Sequence, residues 1–401
     1  MLSSAFFSYL AQWLALVPSF SPHNNNNKAL PLSNQLTFEL RHLHAHNGAR
    51  ILFADVQSQY PNAEVVDAVT AHNSSRYSLR TRRLTTHRPH SDADFKEARQ
   101  RSLLRGESAS LSWDAYETFA PDIEDRKTLL MLAKMTYNAY IEPADADWYD
   151  LGGRWTGNFP IGWEPDADGF RGYVFATADN SSVVLSIKGT SAGYLGRGGP
   201  TAKKRQAVAV VLTLTGLGQL CATATANLYY NLTYMYPDAD IWITGHSLGG
   251  ALASLLGVTF GVPVVAFESP GEKMASRRLH LPQPPSTQHI THIYHTADPI
   301  AMGICNGVLS SCALGGYAME SRCHLGKSVV YDTISNLSWS SDIRTHTIKT
   351  VIEKLLSVPW PPSVEVGRDV PEAVAEDGCI ECYSWNFEES NMSTPLAHDL
   401  T

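Results

Sequence analysis

Apolar positions along this chain recur with two periods, and the switch from one to the other marks its elements. In "EDRKTLLMLAKMTYNAYIE", residues Leu129, Leu130, Leu132, Ala133, Met135, Tyr137 and Tyr140 follow helical spacing. "RGYVFATA" and "SVVLSIKG" read as strands separated by the turn residues Asp179 and Asn180. "IWITG" is another strand and runs directly into "HSLGGALASLLGVTFG", whose Leu and Ala spacing is helical. "VPVVAFES" and "HITHIYHTA" look like further buried strands, and "RTHTIKTVIEKLL" is the closing helix. Strands alternating with helices predict the α/β class, with a mostly parallel sheet covered by helices on both faces.

This pattern sets the main domain at residues 114–357. Upstream, "LTFELRHLHAHNGARILFADV" supplies short strand candidates inside an N-terminal segment, residues 21–113. Residues 73–110 are polar and arginine-rich, which predicts a solvated linker; contact with anionic lipid headgroups is the functional alternative. Residues 358–401 read as an acidic tail. The first twenty residues, "MLSSAFFSYLAQWLALVPSF", hold no charged side chain, and Leu2 to Phe20 are mostly apolar. That length is near the minimum for a bilayer span, so residues 1–20 are expected to be a signal anchor. A cleaved signal peptide and a buried core helix are the alternatives, the first weakened by the missing positive n-region and A-x-A site.

Composition narrows the classes. The formal charge of the 401-residue chain is −8, but the segment from Ser357 onward holds nine acidic residues and one basic one. The rest is balanced at 30 against 30. A nucleic-acid binder would show a basic stripe on its folded part, so that class is disfavoured. Six cysteines (Cys221, Cys305, Cys312, Cys323, Cys379 and Cys382) suit disulfides if the chain enters an oxidising lumen. Cys379-x-x-Cys382 lacks a second ligand pair, so both cysteines are expected in disulfides, with each other or elsewhere, rather than on zinc. Sequons stand at Asn73, Asn180, Asn231, Asn336 and Asn391.

Two G-x-S-x-G matches compete for chemistry: Ser191 in "GTSAG" and Ser247 in "GHSLG". A nucleophile elbow needs a strand, a tight turn and a helix starting at once, whose N-terminal N–H groups face a developing oxyanion. Ser247 has all three, whereas "GYLGRGGPTAKKR" after Ser191 is too rich in glycine and proline to start a helix. Ser247 is therefore the expected nucleophile. The "IKGTS" loop then offers the second oxyanion donor, pairing Thr190 with Leu248. Serine needs a histidine oriented by a carboxylate. In the order Ser, Asp, His, Asp298 in "YHTADPIAMG" and His346 in "RTHTIK" are the candidates. His289, His292, His295 and His324 are expected to be structural. No metal or organic cofactor is implied.

Longer stretches carry a resemblance. "LAKMTYNAYIEP", "VVLSIKGTSAG", "YMYPDADIWITGHSLGGALASLLGVTFG", "PVVAFESPGEKMASRRLHLP", "HITHIYHTADPI" and "CALGGYAMESRCHLGK" resemble the fungal autophagy-related vacuolar phospholipase family of class 3 lipases. The likeness covers roughly residues 115–356. It implies an α/β-hydrolase fold, a Ser247–Asp298–His346 triad, and action on membrane phospholipid or triacylglycerol. It also implies a glycosylated single-pass type II membrane protein of the multivesicular body, delivered to the vacuole lumen, that breaks down autophagic and multivesicular body membranes. Another serine esterase and a catalytically inactive lipid-binding relative are the rival readings. Between Thr201 and Leu228 the chain departs from the family, which has a longer, cysteine-rich stretch, so lid behaviour is not implied. The uncharged run Gln206–Ala226 is expected not to span a membrane. A span there would separate Thr190 from Ser247, and both must reach one oxyanion.

Overall fold

Continuous alternation of apolar residues builds the centre of a wide sheet. A computed structural model describes residues 35–47, 50–55, 77–105, 111–141, 147–149, 171–189, 227–304 and 321–381. In chain order, β1 (Gln35–Asn47), β2 (Arg50–Asp55) and β3 (Tyr77–Pro89) precede α1 (Asp92–Arg105) and β4 (Trp113–Pro121). Next come α2 (Arg126–Asn138), β5 (Arg171–Thr177), β6 (Ser182–Ile187), α3 (227–235), β7 (Asp240–His246) and α4 (Leu248–Phe260). Strands β8 (Val264–Phe267), β9 (Ile290–His295), β10 (Lys327–Tyr331) and β11 (Ala373–Ala375) complete the 11 strands of the sheet among the described residues. Their order is β11-β10-β9-β8-β7-β6-β5-β1-β3-β4, with β2 beside β1.

The sheet is mixed rather than mostly parallel. Strands β6 to β10 run parallel, while β5–β6, β5–β1, β1–β2, β1–β3, β3–β4 and β10–β11 are antiparallel. Period-two alternation sends side chains of the central strands into two cores. Tyr173, Phe175, Val184 and Trp242 pack with Leu129, Leu132 and Met135 of α2 and with Ile348, Val351, Ile352 and Leu355 near the C-terminus. Val174, Val183, Leu185, Ile187, Ile241 and Ile243 pack on the other face against α4 and α3, through Ala253, Leu256, Leu228 and Leu232. Both faces are buried, which is why these strands read as near-continuous apolar runs. Helix α2 starts where Asp125 accepts from the Thr128 N–H at 2.8 Å, and Thr136 on its inner face meets Thr244 of β7 at 2.8 Å.

Three boundary expectations change. The domain does not begin at residue 114, because β1 pairs with β5 over Phe38–Ala45 and buries Phe38, Leu40 and Leu43 in the first core. Within 73–110, residues 77–89 form a strand and 92–105 a helix, not a linker. That strand is held by two ladders, to β4 from Thr81–Pro121 to Pro89–Trp113 and to β1 from Arg80–Gln35 to Tyr77–Phe38. Its arginines cover aromatic rings, Arg83 over Phe119 and Arg88 over Tyr116, in place of the apolar side chains that would have announced it. The tail is also folded in part. β11 adds to the edge at β10, and Glu376 accepts from the Tyr294 hydroxyl at 2.9 Å and from the His324 backbone N–H at 2.9 Å.

Cys379 is joined to Cys323, so it is a disulfide half rather than a zinc ligand. Cys221, Cys305, Cys312 and Cys382 lie outside the described residues, as do residues 1–34 with the expected anchor and the 206–226 run. Among the described residues no helix is long and apolar enough to cross a membrane. The Cys323–Cys379 bond closes a loop of sequence separation 56, a length for which chain entropy gives about 4 kcal/mol. Cys379→Ser should therefore lower the unfolding free energy by up to about that amount in denaturant titrations. It should also release the segment around Glu376 to proteolysis, and an unchanged midpoint with unchanged cleavage would refute the tie.

Candidate active site

Strand β7 delivers the chain to Ser247 in the conformation a sharp strand-to-helix turn demands. Ser247 has φ 56° and ψ −129°, a region costing a side-chain-bearing residue about 1–3 kcal/mol. Small neighbours make it possible. A Cβ on Gly245 would lie 2.4 Å from the Gly249 carbonyl, and one on Gly249 2.3 Å from the Ile187 carbonyl oxygen. A Cβ on Gly250 would meet that of Ser269 at 2.9 Å. The turn is anchored by the Ser247 N–H, which donates to the Phe267 carbonyl of β8 at 3.0 Å. Helix α4 starts at Leu248, so its first N–H groups have no carbonyl one turn earlier to bond.

The residues singled out in sequence converge here. His346 closes the short turn Ile343–Thr345, just before the helical segment Ile348–Leu355. Its Nε2 lies 2.9 Å from Ser247 Oγ and its Nδ1 2.6 Å from Asp298 Oδ2. A carboxylate only accepts, so Nδ1 carries the proton and Nε2 is left as acceptor for the serine hydroxyl. Asp298 follows β9, is fully buried, and accepts from the Ile300 N–H through Oδ1 at 2.9 Å. Burial alone would raise its pKa. The charge and hydrogen bond of His346 and a hydrogen bond from Glu268 outweigh that and hold the carboxyl below its usual range. The arrangement can withdraw a proton from the serine oxygen and stabilise the resulting imidazolium.

Thr190 and Ser191 lie outside the described residues. The chain leading to them is placed: Ile187 to Gly189 runs against the first turn of α4, with the Gly249 Cβ position 2.9 Å from Gly189 N. The other histidines have separate partners. His289 Nε2 donates to the Gly257 carbonyl at 2.9 Å, and His292 lies 2.8 Å from Ser269 Oγ and 3.0 Å from Glu272. His295 donates to the Thr345 carbonyl at 3.2 Å, and His324 meets Glu376 at 3.0 Å. Of the sequons, Asn180, Asn231 and Asn336 are exposed, whereas Asn73 and Asn391 lie outside the described residues.

Sequence reasoning passed over Tyr140 and His246. His246 Nε2 donates to the backbone carbonyl of His346 at 2.8 Å, leaving Nδ1 to accept from the Tyr140 hydroxyl at 2.8 Å. The Tyr140 oxygen in turn accepts from the Gly189 N–H at 3.1 Å. Burial, aided by the His346 charge, lowers the His246 pKa to about 3, so the ring stays neutral and keeps this tautomer. The chain of bonds ties the loop after β6, the turn after α2 and the backbone of His346 into one unit. The only hint in sequence is a histidine beside Ser247 at the end of a mostly apolar strand.

The profile of the family described as Lipase (class 3) matches residues 207–302. The protein named "Putative lipase ATG15" of Cryptococcus neoformans var. neoformans (strain B-3501A) is 43% identical over 367 aligned residues, covering 70% of this chain and 70% of that protein. Its namesake in Mycosarcoma maydis is 38% identical over 391 residues, covering 86% and 73%. The Lip2 lipase structure from Yarrowia lipolytica aligns at 16% identity and TM-score 0.34, over 53% of this chain and 80% of that one, too weak a likeness to argue from.

Tyr140→Phe removes one hydroxyl and strands two buried groups, Gly189 N–H and His246 Nδ1. It should cost about 1–3 kcal/mol of stability and roughly tenfold in kcat/KM toward an ester, read by denaturant titration and steady-state kinetics. Wild-type stability and kinetics in Tyr140→Phe would show that the linkage positions nothing.

Proposed function

Because the chain belongs to the family of the ATG15 lipases, acyl-ester hydrolases of class 3 lipase type, we propose that Ser247, His346 and Asp298 are its catalytic triad and membrane lipid its substrate. The observation that carries this reading is the unbroken hydrogen-bond chain from Ser247 Oγ through His346 to buried Asp298, at the head of a helix.

In this mechanism Ser247 Oγ attacks the acyl carbonyl carbon while His346 Nε2 takes its proton. Asp298 keeps His346 in the Nδ1–H tautomer and offsets the imidazolium charge. The tetrahedral oxyanion is bound by the N–H of Leu248 and by Thr190, supported by the approach of Gly189 to the first turn of α4. Removing one such donor costs about 3 kcal/mol in comparable sites. His346 then returns its proton to the departing alcohol, and the same groups activate water against the acyl-enzyme. No step calls for a metal or organic cofactor.

The wider role follows the family. Residues 1–20 anchor the chain, and the enzyme works on the lumenal side of the multivesicular body and vacuole, degrading autophagic and multivesicular body membranes. Exposure of Asn180, Asn231 and Asn336 supports glycosylation at those sites. Phospholipid and triacylglycerol are both within the chemistry.

Ser247→Ala should lower hydrolysis of a phospholipid or short-chain ester by about 10⁴-fold or more, whereas Ser191→Ala should keep much of the activity. Labelling by a fluorophosphonate probe should disappear in Ser247→Ala alone. An active Ser247→Ala protein with inert Ser191→Ala would reverse the assignment. Acidification should also depress the rate as His346 protonates, since an imidazolium cannot act as base; a flat profile from acid to neutral pH would remove His346 from that role.

A further inference from the structure

Asp298 shares its buried surroundings with a second acid. Glu268 follows β8, is fully buried, and has φ 44°, a left-handed conformation that side-chain-bearing residues rarely adopt. Its own N–H donates to the Ile293 carbonyl of β9 at 2.9 Å, which fixes the backbone and sends the side chain toward the loop after β9. There Oε2 lies 3.5 Å from the His295 N–H and Oε1 lies 3.7 Å from His295 Nε2. Among the described residues no N–H or O–H group reaches Oε1 within hydrogen-bond distance, and the carboxyl faces the Asp298 side chain. The titratable groups facing it are Asp298, His295 and Tyr294 from β9 and its loop, with His346 beyond Asp298.

Two carboxyl groups can share a hydrogen bond only if one carries a proton. His295 does not neutralise the pair by charge. Its Nε2–H is committed to the Thr345 carbonyl at 3.2 Å, and burial lowers its pKa. Asp298 already accepts from His346 and from the Ile300 N–H, donors that favour the anion on that side. The proton therefore belongs to Glu268. Burial first, and then the Asp298 charge, push the Glu268 carboxyl well above the usual carboxylate range.

We propose that Glu268 is a positioning residue of the active site, a neutral carboxylic acid whose O–H donates to Asp298 and holds it against His346. The inference rests on the triad reading for its effect on catalysis. A carboxylate that shares its charge with an O–H donor pulls less strongly on a proton at the imidazole. Without that O–H donor the full Asp298 charge would bear on the His346 ring. An apolar residue of similar size would fill the same volume without this effect.

The test compares the full chain with Glu268, E268Q and E268L. Infrared spectra at neutral pH should show the carbonyl stretch of a protonated carboxylic acid that E268Q removes. Absence of that difference overturns the proposal whether or not the protein hydrolyses esters. On a short-chain nitrophenyl ester, the acid limb of kcat/KM should move up by about half to one pH unit in E268L. E268Q retains an N–H donor and should recover most of that displacement. An E268L limb superimposable on wild type, or an E268Q limb displaced as far as that of E268L, overturns the proposal. If E268L does not fold, an E268Q limb within about half a unit of wild type together with the lost infrared band supports it, and a larger displacement overturns it. A wild-type protein inert toward all esters would remove the triad reading, and the infrared arm alone would then judge the Glu268 proton.

Discussion

The strained turn at Ser247 is the constraint on which the rest of the site depends. A serine at φ 56° is unfavourable by about 1–3 kcal/mol, and what offsets it is packing on every side. Strand β7 is held between β6 and β8, and the Ser247 N–H is tied to β8 through the Phe267 carbonyl. Helix α4 sits tightly on the sheet only because Gly245, Gly249 and Gly250 present no side chains at the crossing. The same close approach brings Ile187 to Gly189 over the helix N-terminus. Ser247, the helix N–H groups and the loop leading to Thr190 are thus set by a single packing event, and a Cβ at any of those three glycines would disturb all of them together.

This explains why the centre of the fold was legible in the sequence and its margins were not. The elbow announces itself, because strand, Gly-x-Ser-x-Gly and helix are contiguous and each has a strong local signature. Asp298 and His346 are legible for a related reason, since each lies in the loop that follows or precedes a clear element. At the margins, stability comes from ladder hydrogen bonds and cation–π contacts, which leave little trace in hydropathy. Strand β3 buries Leu79 and Thr86 but shows Arg80 and Arg83 to solvent or to rings, so it looks like a linker. The tail has the same problem. Its acidity suggests solvation, yet Glu376 is held by Tyr294, Ser328 and His324. Charge in a segment says nothing of its placement when the partners come from elsewhere in the chain.

Glu268 and His246 were missed for a different reason. Both stand inside apolar strands or at their ends, where a polar residue is either an error of pattern or a committed partner. A buried ionisable side chain is expensive unless it is neutral, paired, or both, so each one marks a compensating group nearby. Here the two compensations meet. His246 stays neutral between Tyr140 and the His346 carbonyl, and Glu268 faces the acid that orients the His346 ring. His346 is thereby held at its backbone by one network and at its ring by another.

The buried histidines also determine how the fold responds to acid, and they do not all act in one direction. His44 and His289 are lowered by burial to about 4, and His246 to about 3. Their stabilising contribution is fully present above the unfolded value near 6.5, and it is lost as pH falls from there toward the folded values. His324 opposes them. Burial lowers its pKa, but Glu376 more than compensates, so the net shift is upward, and Glu376 is lowered in return despite its own burial. The His324 contribution is complete below about 6.5 and fades only as pH rises through its raised value. That of Glu376 is present above the ordinary carboxylate range and fades only as pH falls through its depressed value. Between the ordinary carboxylate value and 6.5 these histidines stay neutral in the fold, but their protonation in the unfolded chain lowers the stability difference, while the His324–Glu376 pair still holds β9, β10 and the tail together. The Cys323–Cys379 bond joins the two segments that carry that pair, so the part of the fold best protected at mildly acidic pH is also the part that is covalently closed.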